Sequence, residues 1–359
     1  MPLTLYVDRT AWEGQHQRLL ERFPGIVPVA KGNGYGFTVP VLAQAAARLP
    51  VDQLAVGTLA EAAAVADLFP RDLLVLEPYQ EEVPDGNRRI PGPRSAGDIE
   101  LFRHSDRIVH TAASVDGVRK LAGRRIVLDC RSSLRRHGIT RNELADVAAA
   151  LGGQELEGCS LHLPLERNGR SDPIGETVAW VGALRESGLA VTTMYVSHLH
   201  RDELDVLAQT CPGVRFRPRI GTELWLGDAA AVQARATVLE AFPVARGERV
   251  GYRQSRSRQS GWVLVVSGGT VQGVGLEAPR TMHGLLPRIK ELARSGLATA
   301  NRTRSPFLWQ GRKQWFAEPP HMLVSMLYLP RQYQPPEPGA EIPAELRHTS
   351  THFDQVVIR

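Results

Sequence analysis

Ile26-Val27-Pro28-Val29-Ala30-Lys31-Gly32-Asn33-Gly34-Tyr35-Gly36 opens on a short apolar run, ends that run on a lysine, and turns through three glycines. Val39 to Leu49 follows as an Ala/Leu-rich stretch with helical periodicity. The unit therefore reads strand, tight turn, helix. It then recurs. Leu54 to Gly57 precedes the helix-like Thr58 to Phe69, Leu73 to Glu77 and Arg107 to His110 are further short runs, and Arg125 to Asp129 precedes Asn142 to Gly153. Leu156 to Leu163 leads into Glu176 to Gly188, Val191 to Ser197 into Arg201 to Thr210, and Val214 to Gly221 closes the series. Strands alternating with helices of this length build a parallel sheet. Eight such units predict a (β/α)8 TIM-type barrel over residues 8–230, with an open doubly wound sheet as the rival.

Beyond residue 230 the rhythm changes. Ala236–Val244, Arg249–Tyr252, Trp262–Ser267, Thr270–Leu276, His321–Leu329 and Phe353–Arg359 read as strands, separated by Gly and Pro. Only Leu285 to Gly296 reads as a helix, and Arg331 to Pro343 reads as a Pro-rich loop. The expectation is a mostly antiparallel β domain over residues 231–359, with residues 1–7 available to pair onto it.

Whole-chain properties narrow the function. With 359 residues, 43% of them apolar and 23% charged, the chain is long enough to bury a core without staples. Cys130, Cys159 and Cys211 are odd in number and far apart in sequence, which argues against a disulfide framework or a zinc site. A reducing cytoplasm is the expected compartment, since Met1 to Trp12 lacks the pattern of a secretory signal. No run reaches the length of a membrane span. The net charge of +5 comes with arginine-rich stretches at Arg131–Arg136 and Arg253–Arg258, but no aromatic stacking pattern accompanies them. A pocket for anionic ligands accounts for these arginines as well as nucleic acid does.

Lys31 is the sharpest chemical signal. A lysine at the end of a buried strand loses hydration, its amine pKa falls, and it becomes a usable nucleophile and base. The glycines after it let the backbone bend beside a bulky ligand. A lysine reaching to solvent over a glycine turn is the plain alternative.

Val29 to Gly36 resembles the lysine motif of the alanine racemases, enzymes that use pyridoxal 5'-phosphate (PLP). Leu54 to Val65 is similar to that family's second strand and helix. The resemblance implies that Lys31 carries PLP as a Schiff base and that Tyr35 contacts its phosphate. Leu156 to His162 resembles the strand whose terminal histidine, here His162, sits near the cofactor ring. Met194 to His198 resembles the strand whose serine, here Ser197, binds phosphate. Arg217 to Trp225 is similar to the family's arginine–x–glycine motif, which implies Arg219 on the pyridine nitrogen and backbone N–H groups of Gly221 and Thr222 on the phosphate. Arg219 would keep that nitrogen unprotonated, because its own charge is permanent.

Gly247 to Tyr252 resembles the strand bearing a second catalytic base, here Tyr252, which in the family reaches the partner subunit's site. The implied unit is a head-to-tail homodimer with shared active sites. Ile126 to Gly138 resembles the segment before the family's substrate-side arginine. Arg136 fits best, two residues before Gly138, and Arg135 is its rival because the segment is longer than the motif. Where the family often carries a modifiable lysine that orients this arginine, Val127 stands. The implied chemistry is inversion of an amino acid at Cα, with Lys31 and Tyr252 as bases on opposite faces. A free tyrosine titrates near 10, so a chain Tyr252–His162–Arg219 is the expected help.

The resemblance weakens toward the C-terminus. Val266 to Gly273 lacks the tyrosine and aspartate of one family motif, and the family's tail, with a further phosphate-contacting tyrosine, has no match before Arg359. His321 to Val324 keeps only Met322, a substrate-side residue, of a methionine–aspartate–glutamine motif. Three other functions stay open at this point: a PLP-dependent amino-acid decarboxylase, a protein that binds PLP without catalysis, and a scaffold derived from a racemase. Arg219 and Tyr252 oppose the first, which would place a glutamate and a cysteine at those sites.

Overall fold

The computed structural model describes residues 2–80, 105–167, 171–257, 259–276 and 303–359. Strand β1 (Leu3–Val7) comes first in the chain. Eight strands then close a parallel barrel: β2 (Val27–Ala30), β3 (Gln53–Val56), β4 (Asp72–Pro78), β5 (Ile108–Ala112), β6 (Ile126–Cys130), β7 (Gly158–His162), β8 (Thr193–Ser197) and β9 (Arg215–Ile220). β9 returns to β2 with Val27 opposite Arg219. That pairing abolishes the edges an open sheet would leave, so the doubly wound alternative is excluded.

Local chemistry explains these elements. β2, β3, β5 and β6 are buried at every residue, as parallel strands covered on both faces must be. Val27, Val29, Ala55, Leu74, Val109, Val127 and Tyr195 pack into one apolar cluster of strand side chains, the filled interior such barrels have. Helix starts are marked by side-chain caps. Thr58 and Glu61 form a capping box at Leu59–Val65, and Asp172 caps Pro173–Glu186, whose first residue is proline. Among the described residues, compact packing separates Gly14–Gly34 with Thr38–Gly227 from a second unit.

That second unit comprises the chain up to Glu13, Tyr35–Phe37 and the chain from Asp228 onward. Its spine is β10 (Val232–Val244). β10 pairs antiparallel with β1, with Glu341–Ala344 and, through its second half, with Gly261–Ser267. Gln355–Ile358 adds to β1 in parallel. Leu3, Val238, Leu264, Phe307, Leu327 and Ile342 lie at the centre of its core.

Several expectations need correction in this unit. Thr270–Leu276 is not a strand: Thr270–Gln272 forms a 3-10 turn, with the Gln272 side chain tied to Gly269 N and to Asp354. Pairing stops at Val250, so Tyr252 lies in the turn beyond it. The strand expected from His321 begins at Val324, and Glu341–Ala344, at the end of the expected loop, is a strand. Arg304–Trp309 and Arg312–Phe316 form an unforeseen hairpin. Gln310 and Gly311 turn it with φ of 50° and 73°, a pair of left-handed residues that Asn-Gly would have advertised better than Gln-Gly. The helix expected at Leu285–Gly296 lies outside the described residues. All three cysteines are free and buried, but Cys130 and Cys159 are not apart in space: their thiols hydrogen-bond, which together with burial raises the Cys130 pKa well above the usual range.

Candidate active site

Side chains two apart on a strand share a face. Val29 lies in the barrel's apolar cluster, so Lys31 continues that face beyond the C-terminal end of β2. The turn after it is held by one carboxylate. Glu61 accepts from Gly32 N at 2.8 Å and from Gly57 N at 2.7 Å while capping its own helix. Gly57 must lack a side chain, since a Cβ there would come within 3.2 Å of Lys31 Cβ and 2.7 Å of Glu61 Oε2. Burial pulls the Lys31 amine below its ordinary pKa, the charges of Arg136 and then Arg219 pull it further, and Glu61 offsets part of this. A larger share of neutral amine is what a nucleophilic lysine requires.

The register of β7 and β8 sets His162 opposite Ser197. Their side chains meet, with Ser197 Oγ 2.8 Å from His162 Nδ1. Burial first, then Arg219, His198, Arg136 and Lys31, push the His162 pKa down to about 3. His162 is therefore neutral at physiological pH. His198 sits beside it in a left-handed conformation, φ 60°, with ring centroids 5.1 Å apart.

Arg219 lies at the centre of this group. Its pKa is lowered by burial, and its Nε and Nη2 are buried with no hydrogen-bond partner. Two unsatisfied donors on a buried cation carry a large desolvation cost unless an acceptor reaches them. Arg219 and Arg136 put positive charge around Lys31 and, together with Lys31, around His162, while Asp129 is the largest charge acting on Arg219 and offsets Arg136 there, as Glu61 offsets part of it at Lys31. Such a cluster fits a ligand that brings both anionic oxygens and a ring-nitrogen lone pair. PLP has both, so the residues present fit that cofactor.

The other barrel candidates stand close by in the chain. Gly221 and Thr222 start the short helix Thr222–Leu226, which Trp225 ties to β2 through a 2.7 Å bond from Nε1 to Val29 O. Arg136 is the arginine whose charge is felt at Lys31, His162 and Arg219. Arg135 occupies a left-handed turn, φ 54°, with its N–H on Ser132 O. Val127 lies in the barrel's apolar cluster.

Tyr35, Tyr252 and Met322 belong to the other unit. Tyr35 adopts a left-handed conformation, φ 56°. Tyr252 is 86% exposed and Met322 69%. The Tyr252 ring rests 4.6 Å from that of His321, whose Nε2 meets the buried carboxylate of Glu318 at 2.5 Å. Sequence reading passed over Glu61, His137, His198 and this His321–Glu318 pair. Only Glu61 was announced, by the Thr58-x-x-Glu61 capping signature.

The chain matches the family described as "Alanine racemase, N-terminal domain" over residues 7–186. It belongs to the alanine racemase family. Solved members of the family have the same fold. The alanine racemase of Bartonella henselae with covalently bound pyridoxal phosphate aligns over 97% of this chain and 91% of its own, at 15% identity and a TM-score of 0.65. The biosynthetic alanine racemase of Pseudomonas aeruginosa aligns over 97% and 91%, at 19% identity and a TM-score of 0.62. That of Bacillus anthracis with bound L-Ala-P aligns over 95% and 84%, at 18% identity and a TM-score of 0.66. Likeness at such identities speaks for the fold. No curated protein matches the chain in sequence. Among the described residues no His, Cys, Asp and Glu side chains group as a metal site would, and no helix is long and apolar enough to cross a membrane.

Proposed function

We propose that this alanine racemase family member is a PLP-dependent racemase that interconverts L- and D-amino acids. The observation that carries this reading is the buried Arg219, with two unpaired donors beside a lysine of lowered pKa. When bound, PLP supplies the electron sink that makes a Cα proton removable. Lys31 would hold the cofactor through its amine, and the same amine can serve as base on one face. Arg219, whose buried Nε and Nη2 have no partner, would donate to the pyridine nitrogen and, being permanently charged, would leave no proton there. That disfavours the decarboxylase alternative. Tyr35, Ser197, Gly221 and Thr222 hold the phosphate. Ser197 can donate to it if His162 presents Nδ1–H to the serine oxygen. Arg136 takes the substrate carboxylate, and Met322 lines the substrate side.

Tyr252 serves the opposite face. Its exposed phenol suits a residue that acts on a surface other than its own unit's, as in a head-to-tail homodimer with shared sites. His162 is neutral and feels the charge of Arg219, so in the chain Tyr252–His162–Arg219 it would serve as a neutral hydrogen-bond acceptor for the phenol rather than as its base. Three buried free thiols favour a reducing cytoplasm as the place of work.

The test is incubation with each common L-amino acid in deuterated water, with Cα deuterium uptake and the D-enantiomer fraction both recorded. Uptake with inversion for at least one substrate is the expected result. Bound PLP with no uptake for any of them would replace the reading with cofactor binding without catalysis.

A further inference from the structure

Arg136 stands in an exposed loop, yet the loop is closely held. Cys130 and Ile139 form a bridge across its base, with Arg131 N donating to Ile139 O at 2.9 Å and Ile139 N to Asp129 O at 2.8 Å. The closure returns His137 to Asp129, a buried carboxylate at the end of β6. Asp129 Oδ1 accepts from Ser160 Oγ at 2.5 Å, and Oδ2 lies 2.7 Å from His137 Nδ1. Arg136 Nε then donates to His137 Nε2 at 3.0 Å.

These three contacts fix the ring's protonation. A guanidinium only donates, so Nε2 must present a lone pair, and the ring proton must sit on Nδ1 facing Asp129. We propose that Asp129 and His137 are positioning residues that aim Arg136 through this neutral Nδ1–H tautomer. Ser160 fixes the carboxylate, the carboxylate fixes the ring, and the ring takes Nε of the guanidinium. Both terminal nitrogens of Arg136 remain for the bidentate grip on a substrate carboxylate. Val127, two residues before Asp129 on the same face, is apolar and supplies nothing to this chain of contacts. The inference rests on the racemase reading for the identity of the substrate, but the strut itself does not.

Asp129→Asn tests the strut without changing its shape. Ser160 keeps the amide oxygen, the amide NH2 turns to His137 Nδ1, the ring proton moves to Nε2, and Arg136 loses its acceptor. In full-length, PLP-loaded protein labelled with 15N-histidine, wild-type His137 is expected to be unprotonated at Nε2, and the variant protonated there. Calorimetric titration with propionate, which carries the carboxylate without the amine, is expected to weaken about tenfold in Asp129→Asn and in His137→Leu. KM for L-alanine should rise in parallel with that loss while kcat stays within about twofold, and His137→Leu should add nothing to Arg136→Gln. If Asp129→Asn does not fold, His137→Leu carries the test. A wild-type His137 protonated at Nε2, wild-type protein that does not bind propionate, or unchanged propionate affinity in His137→Leu would each overturn the proposal. Absence of turnover in wild type would remove the racemase reading, and the tautomer and propionate results would still decide the strut.

Discussion

The two units hold their candidate residues in opposite ways. In the barrel unit Lys31 and His162 emerge at strand ends and Arg136 from a closely held loop, and each is met by neighbours of the same unit: Lys31 beside the Glu61-bound turn, His162 on Ser197, Arg136 on His137. Their pKa shifts record that mutual proximity. In the β unit Tyr252 and Met322 are exposed, and the Tyr252 ring leans on that of His321. A preorganised site is built on rigid elements with a supporting shell, which the barrel candidates possess. The β-unit candidates lie exposed, which the proposed reading explains by their presentation to a partner. Under the proposed function the barrel supplies most of the cofactor's partners, Tyr35 excepted, and the β unit presents Tyr252 to another copy.

The largest expected effect breaks the barrel half. Lys31→Ala should abolish Cα deuterium exchange by more than about a thousandfold and remove covalent PLP, which borohydride reduction and mass measurement would detect. Breaking the β half should cost less and differently. Tyr252→Phe should slow inversion by about a hundredfold or more, while one enantiomer still exchanges deuterium with retention, since Lys31 can return the proton it took. Equal loss of both enantiomers' exchange would place Tyr252 in structure rather than in proton transfer.

A third prediction concerns stability of the barrel unit. Burial holds His16 down at about 4, against an ordinary 6.5. The unfolded chain takes its proton first as the pH falls, so this contribution is complete above pH 6.5 and is lost on descent toward pH 4. The loss should be on the order of 3 kcal/mol in denaturant titrations, and His16→Gln should flatten it. The smallest effect sharpens the arginine loop. Gly138 has φ 113°, and a Cβ there would sit 2.7 Å from Arg131 N. Gly138→Ala should cost about 2 kcal/mol and raise KM more than it changes kcat.

The barrel was legible in the sequence because buried parallel strands read as apolar runs, several of them followed by helices with side-chain caps such as Thr58 and Asp172. Lys31, His162, Ser197 and Arg219 were legible for the same reason: each ends or nearly ends such a run. The β unit was harder to read. Thr270–Leu276 carries strand-like valines, but Gly273 and Gly275 adopt φ of 86° and 79° and turn the chain instead. The Arg304–Phe316 hairpin pivots on Gln-Gly, a weak turn signal. The Asp129–His137–Arg136 contacts join residues across a loop closed by a single bridge at Cys130 and Ile139, and no periodicity reports a closure of that kind.

Mixing the two disabled proteins tests the central claim most directly. Lys31→Ala and Tyr252→Phe protein would be refolded or exchanged together at equal concentration and assayed for racemisation of the best substrate. If one copy's barrel uses the partner's Tyr252, half of the dimers are mixed and each mixed dimer holds one intact site, so about a quarter of wild-type activity returns. A mixture no more active than the average of its two parents, with mixed dimers verified by mass, would contradict a site shared between copies.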